Sequence, residues 1–315
     1  MLNRRQLRVK VLQILYAYHL SENKVLKSFE KKLLESVEDV FEMYIFLMAL
    51  LIEVSDYVLI DADERANKHL PDETDLNSNP KFKKNKFLAA LQANPEFILA
   101  AKKYNASWNF DPEVVKTIFT ELKASAQYEA YLISDDLSMR AEKDIIKYIF
   151  KKIILVSPSV EQTFEERFIN WQVDRPVLEA MVAKTFSNFQ SENGTENKLA
   201  QISPLWVEDK EFIITLFQKT ILFDEEYQTL ISDKTKNWEA DRIALVDILL
   251  MKLALAELIH FPAIPIKVSM NEYIEIAKEF STPKSNLFIN GILDKILAEL
   301  KASGKIRKSG RGLIE

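Results

Sequence analysis

Cysteine is absent from the 315 residues, which removes disulfide bridges, thiolate metal sites, iron–sulfur clusters and a cysteine nucleophile. Histidine is nearly as scarce, and His19, His69 and His260 are too scattered to suggest a metal cluster. Glycine occurs only five times, against a usual share of roughly 7%. Four of the five lie at or after Gly291, so neither a G-x-G-x-x-G turn nor a P-loop is available before the last helix. Nucleotide-dependent enzymes built on such loops are therefore disfavoured, and no cofactor or metal is expected. Long apolar runs are missing too: the longest, Ile45 to Ile52, has eight residues, far short of the roughly 20 that span a bilayer. The basic N-terminus is interrupted by Lys10 and Gln13 and lacks a small-residue cleavage site, unlike a secretory signal. A cytoplasmic protein without membrane association is the expectation.

What is present is charge, unevenly placed. The formal net charge is −5. Residues 1–19 carry +4 through Arg4, Arg5, Arg8 and Lys10, residues 301–315 carry another +4, and the remainder sums to −13. Two basic ends on an acidic body suggest localised contacts to polyanions.

Nearly every long segment has helical periodicity, so the fold is expected to be all-α. Leu7, Val11, Ile14, Leu15 and Tyr18 mark one buried face of a first helix, and further amphipathic stretches run from about 25–66 to 283–300. Ser269-Met270-Asn271-Glu272 reads as a capping box. Thr282-Pro283 reads as a cap followed by a first-turn proline. Pro262 and Pro265 make His260–Pro265 a turn. The polar, proline-bounded stretches 71–80 and 191–204 are linker candidates. At an offset of 67, residues 144–178 match 211–245 at nine positions, including Phe150/Phe217, Trp171/Trp238 and Asp174/Asp241. Either a duplicated helix-hairpin unit or convergent helix patterning accounts for this, with Trp171 and Trp238 as core anchors.

Three segments are candidates for chemistry. Arg4, Arg5 and Arg8 fall within a 100° arc beside the apolar face of the first helix, while Lys10 and Gln13 lie on the far side. Cations in a first helical turn oppose the helix dipole, which favours a role beyond solubility, against the alternative of a solvated basic edge. In Phe280–Lys295, Gly291 costs about 1 kcal/mol relative to alanine within a helix. A close approach by another backbone or a ligand is therefore expected there. Asn290 is a candidate for a buried hydrogen bond, and Lys284 and Ser285 are placed to meet a phosphate. Lys81–Phe87 interleaves aromatics with lysines, which suits single-stranded nucleic acid and equally suits an ordinary amphipathic helix start. Carboxylate pairs such as Asp135-Asp136 and Glu225-Glu226 form no catalytic constellation, and an enzyme is not expected.

Two segments together resemble the NusB family of transcription antitermination factors. Asn3 to Tyr16 is similar to that family's arginine-rich first helix. Leu253-Ala254-Leu255-Ala256-Glu257-Leu258, Ile264-Pro265, Asn271-Glu272, Ile276-Ala277-Lys278 and Phe288-Ile289-Asn290-Gly291-Ile292-Leu293-Asp294 are similar to the remainder of its signature, in order and spacing. The resemblance implies two small helical bundles, a non-catalytic role, and binding of single-stranded boxA RNA of ribosomal RNA operons. NusE, a small-subunit ribosomal protein, and the transcription elongation complex are the implied partners. By position it assigns RNA contacts to Arg4, Arg5, Arg8, Asp247, Lys284 and Phe288. The family's helices normally follow the first one closely, whereas about 180 residues intervene here. The expected organisation is a basic helix at 1–22, a helical insertion at 23–204, a NusB-like bundle at 205–300 and a flexible basic tail at 301–315. A helical interaction scaffold without RNA binding and an accessory domain of an RNA-modifying enzyme are the rival readings.

Overall fold

A computed structural model describes residues 1–70, 79–236 and 243–313. The fold is all-α: fourteen α-helices and short 3-10 turns carry the regular structure, with no strand among the described residues. The helices of the first part are α1 Arg4–Leu20, α2 Leu26–Ala66, α3 Lys86–Gln92, α4 Pro95–Tyr104, α5 Pro112–Lys123, α6 Ala126–Ile133 and α7 Met139–Lys152. They are followed by α8 Pro158–Arg167, α9 Trp171–Asn188, α10 Trp206–Leu222, α11 Asp224–Lys234, α12 Leu245–His260, α13 Ile266–Phe280 and α14 Ser285–Ala302.

The chain forms two compact units. One comprises Glu38–Ile202 with Met1, and the other joins Leu2–Val37 to the residues from Ser203 onward. The first twelve residues of α2 thus belong to the split unit and the rest to the 38–202 unit. No glycine or proline interrupts this 41-residue helix. By length and composition α2 is apolar enough to cross a membrane, although no uninterrupted apolar run reaches that length. Yet 78% of its most apolar window is buried inside the protein, and Met43 to Leu51 is buried on all sides, as in a core helix.

Within the 38–202 unit, aromatic rings fill the space around α2. Trp108 donates from its indole N–H to the Phe46 carbonyl at 2.9 Å, and Trp171 stacks on Phe164 with centroids 4.5 Å apart. Trp171 is the core anchor that the repeat implies; Trp238, its counterpart, lies outside the described residues. The stretch 191–204 is no loose linker. Asn94 donates to the carbonyls of Gly194 and Asn197 at 2.9 Å each. A Cβ on Gly194 would stand 2.5 Å from the Ala90 carbonyl oxygen, so only glycine fits. Most of the other candidate linker, 71–80, lies outside the described residues.

Helix α7 begins at residue 139 and α10 at 206, and α8 ends at 167 and α11 at 234, both pairs separated by the same 67 residues. Phe150 and Phe217 are buried in their respective units.

In the split unit α1 packs against α10, α12 and α13. Leu7, Val11 and Leu15 are buried, and Lys10, beside that stripe, is buried too. Helix α12 is enclosed along Leu249–Leu258, which explains a helix with almost no polar face. Local caps differ from expectation. The capping box belongs to α1, where Asn3 and Gln6 bond reciprocally to each other's backbone N–H. Ser269 and Glu272 instead sit inside α13, which starts directly after Pro265, and both side chains are used in tertiary contacts. Helix α14 begins at Ser285 rather than at Pro283. Within the tail, Ser309 N–H and Lys308 Nζ donate to the Pro262 and Phe261 carbonyls at 3.0 Å each.

Candidate nucleic-acid interface

Arg8 is not at the surface. It lies three, four and seven residues before Val11, Leu12 and Leu15, on the apolar stripe itself, and its side chain is 2% exposed. Two parallel hydrogen bonds of 2.7 Å join its guanidinium to the fully buried carboxylate of Glu257. Ser269 Oγ (2.7 Å) and Tyr273 OH (2.9 Å) donate to the same carboxylate. Burial works against the Arg8 charge, but the hydrogen bonds and charge of Glu257 outweigh it, and its pKa lies above the ordinary arginine value. The Tyr273 hydroxyl is pushed far up by burial and by the Glu257 charge. This cluster ties α1 to α12 and α13. Its geometry makes Arg8 a positioning residue and not the phosphate contact that the resemblance implies.

Arg4 and Arg5 do reach solvent, at 40% and 42% exposure. Neither presents a free charge. Arg4 Nε lies 2.8 Å from Asp209 Oδ1, with the guanidinium 4.3 Å above the Phe212 ring. Arg5 donates twice to Glu272 at 2.9 Å, an interaction that raises its pKa. The three arginines line one groove of about 970 Å³ together with Glu208, Glu211 and Glu272 over an apolar floor that includes Phe212 and Ile264. The arginine edge of the first helix is therefore real in geometry and largely compensated in charge.

The other three expected residues come together at a second surface of the same unit. Asp247, Lys284 and Phe288 line a pocket of about 520 Å³ with Thr282, Gly291 and Lys295. Asp247 is 5% exposed and accepts from Ser281 Oγ (2.5 Å) and Ser285 Oγ (2.7 Å), so it braces the start of α14 from within. Lys284 and Lys295 are exposed, and neither has a carboxylate within ion-pair distance among the described residues. Phe288 is half-buried between them. Gly291 is open among the described residues: a Cβ there would meet none of them within 4 Å, so the expected close approach by another part of the chain is not found among them. Asn290 is not buried and bonds Asp294 one turn along the helix, at 3.1 Å.

The lysine–aromatic segment at 81–87 is interior. Phe82 and Phe87 are fully buried, Lys83 pairs with Asp56, Lys86 pairs with Glu192, and Lys81 caps carbonyls of Tyr131 and Ser134. Its rings offer no platform for bases. Asp209, Glu257, Glu272 and Lys295 had no place in the expected site. The signal for Glu257 was available: a carboxylate deep within an apolar helix, matched by an arginine on an apolar stripe.

Comparison with known proteins places these surfaces. The NusB family model matches residues 177–298, which contain Asp247, Lys284 and Phe288 but not α1. The protein called Transcription antitermination protein NusB in Salinibacter ruber is 37% identical over 144 residues, covering 44% of this chain and 90% of that relative. The chain belongs to the NusB family. Proteins of the same name in Chloroherpeton thalassium and Natranaerobius thermophilus are 43% and 37% identical, over 35% of this chain in each case and 52% and 79% of the relative. No solved structure matches. The NusB match starts within α9, in the 38–202 unit, and ends within α14.

Proposed function

We propose that this protein is a transcription antitermination factor without catalytic activity, which binds single-stranded boxA-type RNA of ribosomal RNA operons together with NusE in the elongation complex. The observation that carries this reading is the pocket lined by Phe288 with two cations, Lys284 and Lys295, that have no carboxylate within ion-pair distance among the described residues, all within the family-matched residues. Lysines there attract phosphates, and unpaired bases stack on aromatic rings. Asp247 holds the start of α14 in place. Arg4 and Arg5 extend the RNA-facing surface, and Arg8 acts through the placement of α1. The relatives' name supports the antitermination role.

The test is fluorescence anisotropy with a boxA-containing RNA across a salt series, with and without NusE. Lys284→Ala with Lys295→Ala is expected to weaken binding and to flatten the log–log salt slope by about 1.4, roughly 0.7 per lost cation on a single strand. Phe288→Ala is expected to cost about 1–3 kcal/mol of binding. The pairing of the arginines with the chain's own carboxylates favours the rival reading, a helical scaffold that binds no RNA. Absence of any salt-dependent binding would establish it.

A further inference from the structure

The three arginine–carboxylate pairs of the split unit are not equivalent. Arg8–Glu257 is closed, at 2% and 0% exposure. In Arg4–Asp209 and Arg5–Glu272 the arginines reach solvent, at 40% and 42%, while Asp209 is buried and Glu272 half-buried. An exposed ion pair contributes little to stability and exchanges readily with another anion, whereas opening a buried pair strands a charge. Only the two pairs whose arginines reach solvent are exchangeable.

Both carboxylates keep a partner after such an exchange. Asp209 accepts from Ser203 Oγ at 2.5 Å, and Glu272 lies 3.7 Å from the Arg8 guanidinium. Phe212 supports the Arg4 guanidinium from below while its donors change acceptor. A guanidinium presents its N–H groups to a phosphate in the same forked manner as to a carboxylate, so the swap needs no rebuilding.

Resting on the RNA-binding reading above, we propose that Asp209 and Glu272 are specificity-determining residues, which hold Arg4 and Arg5 in pairs that RNA phosphates must displace. A neutralised arginine adds no long-range attraction for polyanions. It contributes only when an RNA places phosphates at both guanidinium groups at once. Lys284 and Lys295 serve any single strand that arrives, while Arg4 and Arg5 respond to one of fitting shape.

The experiment uses the full chain, a boxA-containing RNA and a polyuridylate of equal length, each titrated at several salt concentrations. Asp209→Asn with Glu272→Gln is compared with Glu208→Gln with Glu211→Gln. The second pair removes the same charge from the same groove without touching an arginine partner. For the first variant, polyuridylate is expected to bind about fivefold tighter, with a slope steeper by about 1.4 for two released cations. The boxA-containing RNA gains less, so the affinity ratio falls. The control variant is expected to leave slope and ratio in place. If the first variant melts early, Glu272→Gln alone carries the test, with a slope change of about 0.7. Unchanged slope and ratio, or a control that reproduces the effect, overturns the proposal while leaving the RNA reading intact. Failure of every form to bind either RNA overturns both.

Discussion

Arg8 and Glu257, 249 residues apart in sequence, form a fully enclosed bidentate pair at 2.7 Å. Ser269 and Tyr273 complete the shell of donors around the carboxylate. This pair joins the first helix of the split unit to its most enclosed one. Removing either member leaves an uncompensated buried charge, so Arg8→Ala or Glu257→Ala is expected to lower unfolding free energy by about 3–5 kcal/mol. Urea denaturation measures this. Arg8→Lys should recover little of it, because an ammonium cannot reproduce the fork. A loss under 1 kcal/mol for both alanine variants would refute the arrangement.

Asp247 acts on the RNA pocket through the backbone it braces. Asp247→Ala is expected to cost about 1–3 kcal/mol, through two unmade hydrogen bonds of Ser281 and Ser285. Amide exchange should then quicken between residues 281 and 288 and stay unchanged in the 38–202 unit. Uniform acceleration over the whole chain would contradict a local bracing role.

Gly291 separates stability from binding. Since a Cβ there meets nothing among the described residues, Gly291→Ala is expected to stabilise the protein by about 0.5–1 kcal/mol. In the proposed function a nucleotide rests against this stretch of α14, so the same substitution should weaken RNA binding. A thermal melt and an RNA titration on one preparation read both. A variant that melts lower would show that the open space is filled.

Stability should fall between neutral and mildly acidic pH. Burial and the nearby positive Lys219 lower the pKa of His260, whose ring stacks on Phe223 and bonds the Tyr227 hydroxyl at 3.0 Å. Because the folded state disfavours the charged ring, the unfolded chain takes up the proton first. The contribution is therefore complete above the ordinary histidine pKa of about 6.5 and declines as pH falls towards the depressed value. His19 is shifted in the same direction, also chiefly by burial. Urea midpoints at pH 7.5 and 5.5 should differ less in His260→Gln than in the unaltered chain. An equal difference would assign the effect to other groups.

The helical class, the turn at 260–265 and the family were legible because they rest on local signals: periodicity, paired prolines and motif order. Cap positions were not, because Ser269 and Glu272 satisfy the capping pattern equally well while serving Glu257 and Arg5 across the unit. The two informative glycines were read in reverse. Gly194, in a polar stretch that looked like a linker, is the one hemmed in by backbone, and Gly291 is open. A helical position reveals the strain a glycine causes, but only tertiary structure reveals what lies beside it. Likewise the +4 of the N-terminal segment says nothing of Asp209, Glu257 and Glu272, which arrive from more than 200 residues away to compensate it. Asp247, Lys284 and Phe288 were brought together as the motif order implied, while Lys295, one helical turn after Gly291, closed the candidate segment Phe280–Lys295 without being given a role.

The split arrangement of the second unit also sets an order of events during synthesis. Arg8 leaves the ribosome 249 residues ahead of Glu257. At about 5–20 residues per second, α1 waits about 12–50 s before its carboxylates exist. Until Asp209, Glu257 and Glu272 are synthesised in turn, Arg4, Arg8 and Arg5 lack the carboxylates that neutralise them in the folded unit.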